Sequence, residues 1–168
     1  MTARPRPGYY RKDGLPHIDA SGLIQHIVLR ARVGTDLVAS GAAEAFERSI
    51  FAGGETAPVL LAWCVMPDHA HVACHWHGAA LMGDTVRVWK VRTSRTWPMA
   101  PEPAFAPKYF DRFCRNRDQA DRLWRYVEFN PVDARLVSRP EDWRWSSAWW
   151  KAKQGWQPDW NRLPAFPT

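Results

Sequence analysis

The spacing of hydrophobic and polar positions along the chain predicts four strands and three helices. A continuous apolar run, VLLAWCV at 59–65, is typical of a buried strand, and the MPD turn after it indicates a hairpin. Apolar residues recur at spacings of three and four along 117–129, which predicts an amphipathic helix. The predicted strands are 23–32, 59–65, 69–76 and 108–114, and the predicted helices are 36–54, 84–97 and 117–129.

Local signals set the expected ends of these helices. Asp36 is a candidate start for the first helix. Asn116 and Gln119 form a capping-box pattern at the start of the third. Pro131 disfavours helical geometry at Asn130, so the third helix is expected to end there.

The order strand, helix, strand, strand, helix, strand, helix predicts a ferredoxin-like α+β fold. In this fold, a four-stranded antiparallel sheet carries its helices packed on one face. The length of 168 residues predicts a single domain over 1–168. Residues 1–20 are rich in Pro, Gly and Arg and are expected to form an irregular basic arm, and residues 151–168 a C-terminal tail.

Composition points to a protein of the cytoplasm. No apolar run reaches the roughly 18 residues that a membrane span needs, and the first residues contain no apolar signal core. The three cysteines are an odd number and widely spaced, so we expect reduced thiols. These features predict a cytoplasmic protein, associated with the nucleoid if its partner is DNA.

The charge of the chain favours nucleic acid as that partner. There are 23 Lys and Arg against 17 Asp and Glu, and 18 of the 23 are arginine, whose planar group suits phosphate. Six of the 11 tryptophans follow residue 142. Basic groups with aromatic rings among them can hold a phosphate backbone and stack unpaired bases. For any single residue, a core tryptophan or a solvated arginine remains the alternative.

Two histidines follow the hairpin turn and share one face of the next strand. Side chains alternate along a strand, so His69 and His71 lie on the same side, roughly 7 Å apart, and could hold one metal ion. Cys74 has the opposite parity, which disfavours a closed zinc site made with Cys64. A polar sheet face with exposed histidines is the alternative reading.

The third helix carries a candidate nucleophile. Tyr126 and Asn130 are four residues apart and therefore neighbours on one flank of this helix. If that flank faces the histidines, a metal ion and a phenol meet. The ion would polarise a phosphodiester that Tyr126 attacks, giving a covalent phosphotyrosine intermediate. Tyr126 as a core-edge residue and Asn130 as a helix cap are the structural alternatives.

Five segments in order resemble the REP-associated tyrosine transposases. They are VMPDHAHV, WKVRTSR, KYFDRFCRN, RYVEFNPVDARLV and PEDWRWSSA, and the resemblance covers about 16–150. These transposases are domesticated relatives of single-tyrosine insertion-sequence transposases, in the His-hydrophobic-His superfamily. Two departures stand out: Ala70 where a larger aliphatic is commoner, and Arg135 where a glycine is usual.

The resemblance implies cleavage and rejoining of single-stranded DNA at palindromic hairpins. It implies Mg²⁺ or Mn²⁺ held by His69, His71 and Asn130, with Tyr126 as the nucleophile. A catalytically silent hairpin-DNA-binding protein and a zinc-dependent hydrolase with Tyr126 as bystander remain alternatives, and the protein could be a monomer or a homodimer. Further DNA contacts are expected from some of the late tryptophans and from five basic residues: Arg11, Lys12, Lys90, Arg92 and Arg95.

Overall fold

One four-stranded antiparallel sheet organises the fold. The computed structural model describes residues 22–54, 57–76, 82–97 and 103–163. The strands are β1 (Ile24–Ala31), β2 (Val59–Val65), β3 (His69–His75) and β4 (Phe105–Phe113), in the order β2-β3-β1-β4. The helices are α1 (Ala42–Phe51), α2 (Met82–Thr96), α3 (Arg117–Asp133) and α4 (Ser147–Gln154). The predicted ferredoxin-like α+β fold is confirmed.

The first face of the sheet is covered by α1 and α2. Ile27 and Leu29 of β1 and Val72 of β3 point to this face and pack with Phe46 of α1 and Trp89 of α2 in the larger core. The ring centroids of Phe46 and Trp89 lie 6.3 Å apart, edge to face. Both crossover helices therefore occupy one face, as the fold predicts.

The second face carries α3, so the helices do not all pack on one face as predicted, and α3 covers only part of the sheet. Leu123 and Val127 of α3 pack in a second core with Ala62 and Cys64 of β2 and Ala73 of β3. This helix contacts β2 and β3. The part of this face formed by β1 and β4 therefore lies beside α3 and is not covered by it. The side chains of β1 and β3 that point to this face line the cleft next to the helix.

Two elements begin three or more residues away from their predicted starts. Asp36 Oδ1 accepts hydrogen bonds from the amides of Val38 and Ala39 at 2.9 Å, and so caps a turn that precedes the helix. Helix α1 starts only after Gly41, whose φ of 81° an L side chain rarely adopts. Strand β4 begins three residues early because it is an edge strand, where Pro107 costs no ladder hydrogen bond.

Helix α3 runs one turn beyond its predicted end. Its start is as predicted, with Asn116 Oδ1 accepting from the amide of Gln119 at 2.9 Å. Pro131 lies inside the helix and is buried, so tertiary packing outweighs the local penalty of proline. Beyond it, the amide of Ala134 donates to the carbonyl of Asn130 at 2.9 Å. Asn130 is therefore a residue of the helix, which excludes the predicted alternative that it caps a following one.

Residues after 142 pack against the sheet. The amide of Val65 donates to the carbonyl of Trp145 at 2.8 Å, and the Trp143 indole donates to the carbonyl of Val65 at 2.9 Å. Trp150 donates to the buried carboxylate of Glu47 at 3.1 Å. These three late tryptophans thus have structural contacts, and residues 151–163, predicted as a tail, include the end of α4 and Trp156, which packs on the core.

Candidate active site beside the tyrosine helix

Three histidines meet on the second face of the sheet. His26 of β1 joins His69 and His71 of β3 because adjacent strands bring residues of the same parity together. His69 Nε2 lies 2.9 Å from His71 Nε2, and His71 Nδ1 lies 2.9 Å from His26 Nε2. The predicted sharing of one face by His69 and His71 is therefore confirmed, with a third imidazole added.

The histidines form a continuous chain of hydrogen bonds between two charged groups. At one end, Arg112 Nε donates to His26 Nδ1 at 3.3 Å. At the other end, His69 Nδ1 donates to Asp68 Oδ1 at 2.6 Å. With no ion present, each neutral ring can accept from the preceding residue and donate to the next. This series of hydrogen bonds fixes the orientation of all three rings.

Burial keeps two of the rings neutral. His26 and His71 are each only 4% exposed. Burial, with the neighbouring imidazoles and the Arg112 guanidinium, lowers the pKa of His26 to about 2. Burial, then His69 and Arg112, lowers the pKa of His71 to about 3. Neutral imidazole nitrogens offer the lone pairs that metal binding requires.

Tyr126 stands over these rings from α3. Its ring centroid is 5.4 Å from that of His71 and 6.0 Å from that of His26, in edge-to-face contact with both. The side chain is 45% exposed, although Val127 beside it is buried. The flank of the helix that bears Tyr126 therefore faces the histidines, and the phenol remains open to solvent.

Asn130 lies one turn further along α3 and interacts with both Tyr126 and His71. Its Nδ2 donates to the carbonyl of Tyr126 at 3.5 Å. A side-chain hydrogen bond with His71 acts to raise the pKa of that histidine, against the effect of burial. The structure thus brings together all four residues predicted for the catalytic centre, which are His69, His71, Tyr126 and Asn130.

The donors suit a divalent ion held by two imidazoles and an amide. Two nitrogen ligands about 2.1 Å from an octahedral ion lie about 3 Å apart, close to the separation of the two Nε2 atoms. Such an ion requires the hydrogen of His71 to be on Nδ1, facing His26. No group of three or more His, Cys, Asp or Glu within the described ranges is placed to hold a metal ion. Asn130, whose side chain interacts with His71, is the amide expected from the sequence as a third protein ligand.

The cysteines do not complete such a site. Cys74 is fully buried in the core on the first face, and Cys64 lies in the smaller core on the second. Burial raises the pKa of both thiols, so neither is ready to act as a thiolate ligand. This placement agrees with the strand parity, which disfavours a closed zinc site made with Cys64 and Cys74.

An open cleft surrounds the histidines and Tyr126. It has a volume of about 730 Å³ and its further lining includes Val28, Arg30, Phe110 and Asp111. Sequence reasoning missed His26, Phe110 and Arg112. The parity of HIVLRA marks His26, but only the pairing of β1 with β3 and β4 shows that these residues share the face with His71.

The basic residues predicted to contact DNA lie away from this cleft. Lys90, Arg92 and Arg95 belong to α2, on the opposite face of the sheet. Lys90 Nζ donates to the carbonyls of Ala106 and Pro107 at 2.7 and 2.9 Å. Arg92 donates to the carbonyl of Ala52 at 2.5 Å, and Arg95 is exposed. Arg11 and Lys12 lie outside the described residues.

Comparison with solved structures places the fold among known proteins. A REP-associated tyrosine transposase bound to a REP hairpin matches with a TM-score of 0.73 and 18% identity, over 88% of this chain and 90% of that one. A Deinococcus radiodurans R1 protein assigned as a transposase matches with a TM-score of 0.43 and 20% identity, over 70% of this chain and 96% of that one. No protein-family model and no curated protein matches. The chain therefore has the fold of the first of these proteins, as its motifs imply.

Proposed function

We propose that this protein is a metal-dependent endonuclease and strand transferase for single-stranded DNA at palindromic hairpins. The observation that carries the proposal is the position of Tyr126, partly exposed over the ring of His71 at 5.4 Å. The fold match and the ordered motifs support a transposase-like enzyme of the REP-associated type. Such a substrate would place the protein in the cytoplasm, at the nucleoid. None of the helices within the described ranges combines the length and the apolar character of a membrane span.

In the proposed reaction, the Tyr126 oxygen attacks the scissile phosphorus. The bond from phosphorus to the tyrosine oxygen forms as the bond to the 3′ oxygen of the preceding nucleotide breaks. The phenol loses its proton, and the departing oxygen gains one and becomes a free 3′ hydroxyl. The downstream strand stays attached through a 5′-phosphotyrosine, which conserves the bond energy for rejoining.

The chain's own residues position this reaction. His69 and His71 would hold Mg²⁺ or Mn²⁺ with the amide oxygen of Asn130, and the bound ion would supply polarisation of the phosphodiester. Asn130 Nδ2 donates to the Tyr126 carbonyl, and its side chain acts to raise the pKa of His71, so Asn130 would tie the nucleophile to the metal ligands. His26 and Asp68 orient the two ligand histidines from behind.

A labelled hairpin DNA tests the proposal. Incubation with Mn²⁺ and a 3′ label should give a denaturation-resistant protein–DNA adduct, and a 5′ label should give only the shortened free strand. Chelation by EDTA should abolish both products. Tyr109→Phe is the matched control, because Tyr109 packs against the core of the first face and should leave the adduct unchanged.

The same assay separates the two alternatives. Binding without cleavage under any metal condition would identify a catalytically silent hairpin-binding protein. Metal-dependent cleavage that gives no adduct and persists in Tyr126→Phe would identify a hydrolase in which an activated water attacks. The Tyr126→Phe and His71→Ala proteins can also be mixed. If the mixture forms the protein–DNA adduct, the protein is a homodimer in which one subunit's tyrosine serves its partner's histidines.

A further inference from the structure

We infer that Phe110, together with Arg30, forms a stacking site for an unpaired nucleobase beside the phosphate attacked by Tyr126. The inference rests on the proposed function and adds a defined contact for the single-stranded substrate. It concerns the open side of the cleft, which the reaction itself leaves without a role.

Phe110 is an exposed aromatic residue that belongs to neither hydrophobic core. Its side chain is 54% exposed and lines the cleft, whereas the other phenylalanines of β4, Phe105 and Phe113, are buried and half-buried. An aromatic ring held on a strand and open to solvent offers a flat apolar surface. Such rings stack nucleobases without regard to sequence.

The strand register places Phe110 at a useful distance from the reacting groups. His71, Val28 and Phe110 are paired in one row across β3, β1 and β4, so all three side chains lie on the second face. Two strand spacings put Phe110 about 10 Å from His71. Tyr126 stands at the β3 end of this row, and the Phe110 end is the edge of the sheet. A single strand of DNA held at Tyr126 and crossing this row of side chains would bring a flanking nucleotide onto Phe110.

Arginines on both sides of Phe110 suit this occupant. The Arg30 guanidinium lies over the Phe110 ring, 5.2 Å from its centroid. Arg112 is the next residue of β4 on the same face, paired with His26. Arginine planes stack on bases and bind phosphate, so ring and guanidinium can hold one nucleotide together. Asp68 and Asp111 also line the cleft, which favours contact through base and ring over a purely electrostatic one.

A binding experiment with modified DNA tests the inference. The protein carries Tyr126→Phe to prevent cleavage, and the probe is a fluorescent hairpin with a single-stranded flank. Adding Phe110→Ala should weaken binding roughly 5- to 150-fold. Phe110→Trp should restore the affinity, and Phe110→Leu should not, because leucine lacks the aromatic face.

Making each flank nucleotide abasic in turn locates the contact. At one position, the missing base should weaken binding of the protein that retains Phe110. In the protein with Phe110→Ala, the same missing base should have no further effect. Phe129→Ala is the matched control, since Phe129 is 48% exposed on α3 and does not line the cleft; its effect should add to that of every abasic site. Unchanged affinity in Phe110→Ala, or additive effects at all positions, would overturn the stacking site.

The outcomes separate this inference from the proposed function. The binding measurements need neither cleavage nor metal. The non-additive effect of Phe110→Ala and one abasic position, here called the Phe110 coupling, can therefore be present when no Tyr126 adduct forms. In that case the stacking site holds and the catalytic proposal fails. An adduct that forms normally with no Phe110 coupling would show the reverse.

Discussion

Arg135 stores conformational strain at the end of the tyrosine helix. Its φ is 60°, the one positive φ among the described residues other than glycine. The amide of Arg135 donates to the carbonyl of Val132 at 2.8 Å and that of Leu136 to Pro131 at 2.9 Å. These two bonds are those of a Schellman motif, in which Arg135 occupies the position that glycine favours. Arg135→Gly should therefore stabilise the fold.

The expected gain is the difference between two opposing effects. A left-handed conformation costs an L residue about 1–2 kcal/mol. Glycine removes that cost, but its greater freedom in the unfolded chain takes back about 0.4–1 kcal/mol. We therefore expect a net gain of about 1 kcal/mol, which for a domain of this size raises the Tm by about 2–4 °C.

Thermal and urea denaturation of the wild type and three variants measures this effect. Arg135→Ala keeps the Cβ atom and therefore the strain, so its Tm should stay at or slightly below the wild-type value. Arg135→Asn should gain part of the effect, because asparagine tolerates this conformation better than most residues. A glycine variant no more stable than the alanine variant would refute the reasoning. The DNA adduct should form equally in all three.

Substitutions at four further positions test the site and the expected DNA contact of Lys90. Tyr126→Phe should abolish the covalent adduct on a denaturing gel and leave DNA affinity unchanged; an adduct of normal yield would refute Tyr126 as the nucleophile. Asn130→Ala should raise the Mn²⁺ concentration for half-maximal cleavage and Asn130→Asp should not; an unchanged requirement in the alanine variant would leave the histidines without a third protein ligand. His26→Ala should weaken Mn²⁺ binding, measured by electron paramagnetic resonance, roughly 10- to 100-fold, since it orients His71 from behind; unchanged binding would assign His26 to packing alone. Lys90→Ala should weaken binding of all sequences alike and lower the log–log salt slope by about 0.7; an unchanged slope with a lower Tm would assign Lys90 to the packing of α2 on β4.

The parts of the site that local periodicity governs were predictable from sequence. The alternation of HAHVACH placed His69 and His71 on one face and Cys74 on the other, because the strand is regular. The helical period placed Tyr126 and Asn130 on one flank of α3. Each prediction needed only the geometry of a single element.

The parts that depend on neighbouring elements were not predictable in the same way. His26 and Phe110 join the site only through the pairing of β1 with β3 and β4. Pro131 is a sound local signal for a helix end, yet α3 continues past it and the proline is buried. The sequence shows that Lys90 and Arg92 lie on one basic helix, but not that their side chains contact carbonyls of distant segments. Propensity and charge do not encode such tertiary partners.

The extension of α3 past Pro131 has a consequence for the chemistry. Had the helix ended at Asn130, the asparagine amide would have been free to cap a following turn. Because the helix continues, Asn130 has a fixed helical backbone one turn from Tyr126, and its side chain contacts His71. Any rotation of α3 about its axis would move the Tyr126 phenol and the Asn130 amide together relative to the histidines. Buried contacts of Leu123 and Val127 with the sheet resist that rotation. The packing of one apolar stripe therefore sets the distance between Tyr126 and the proposed metal ligands.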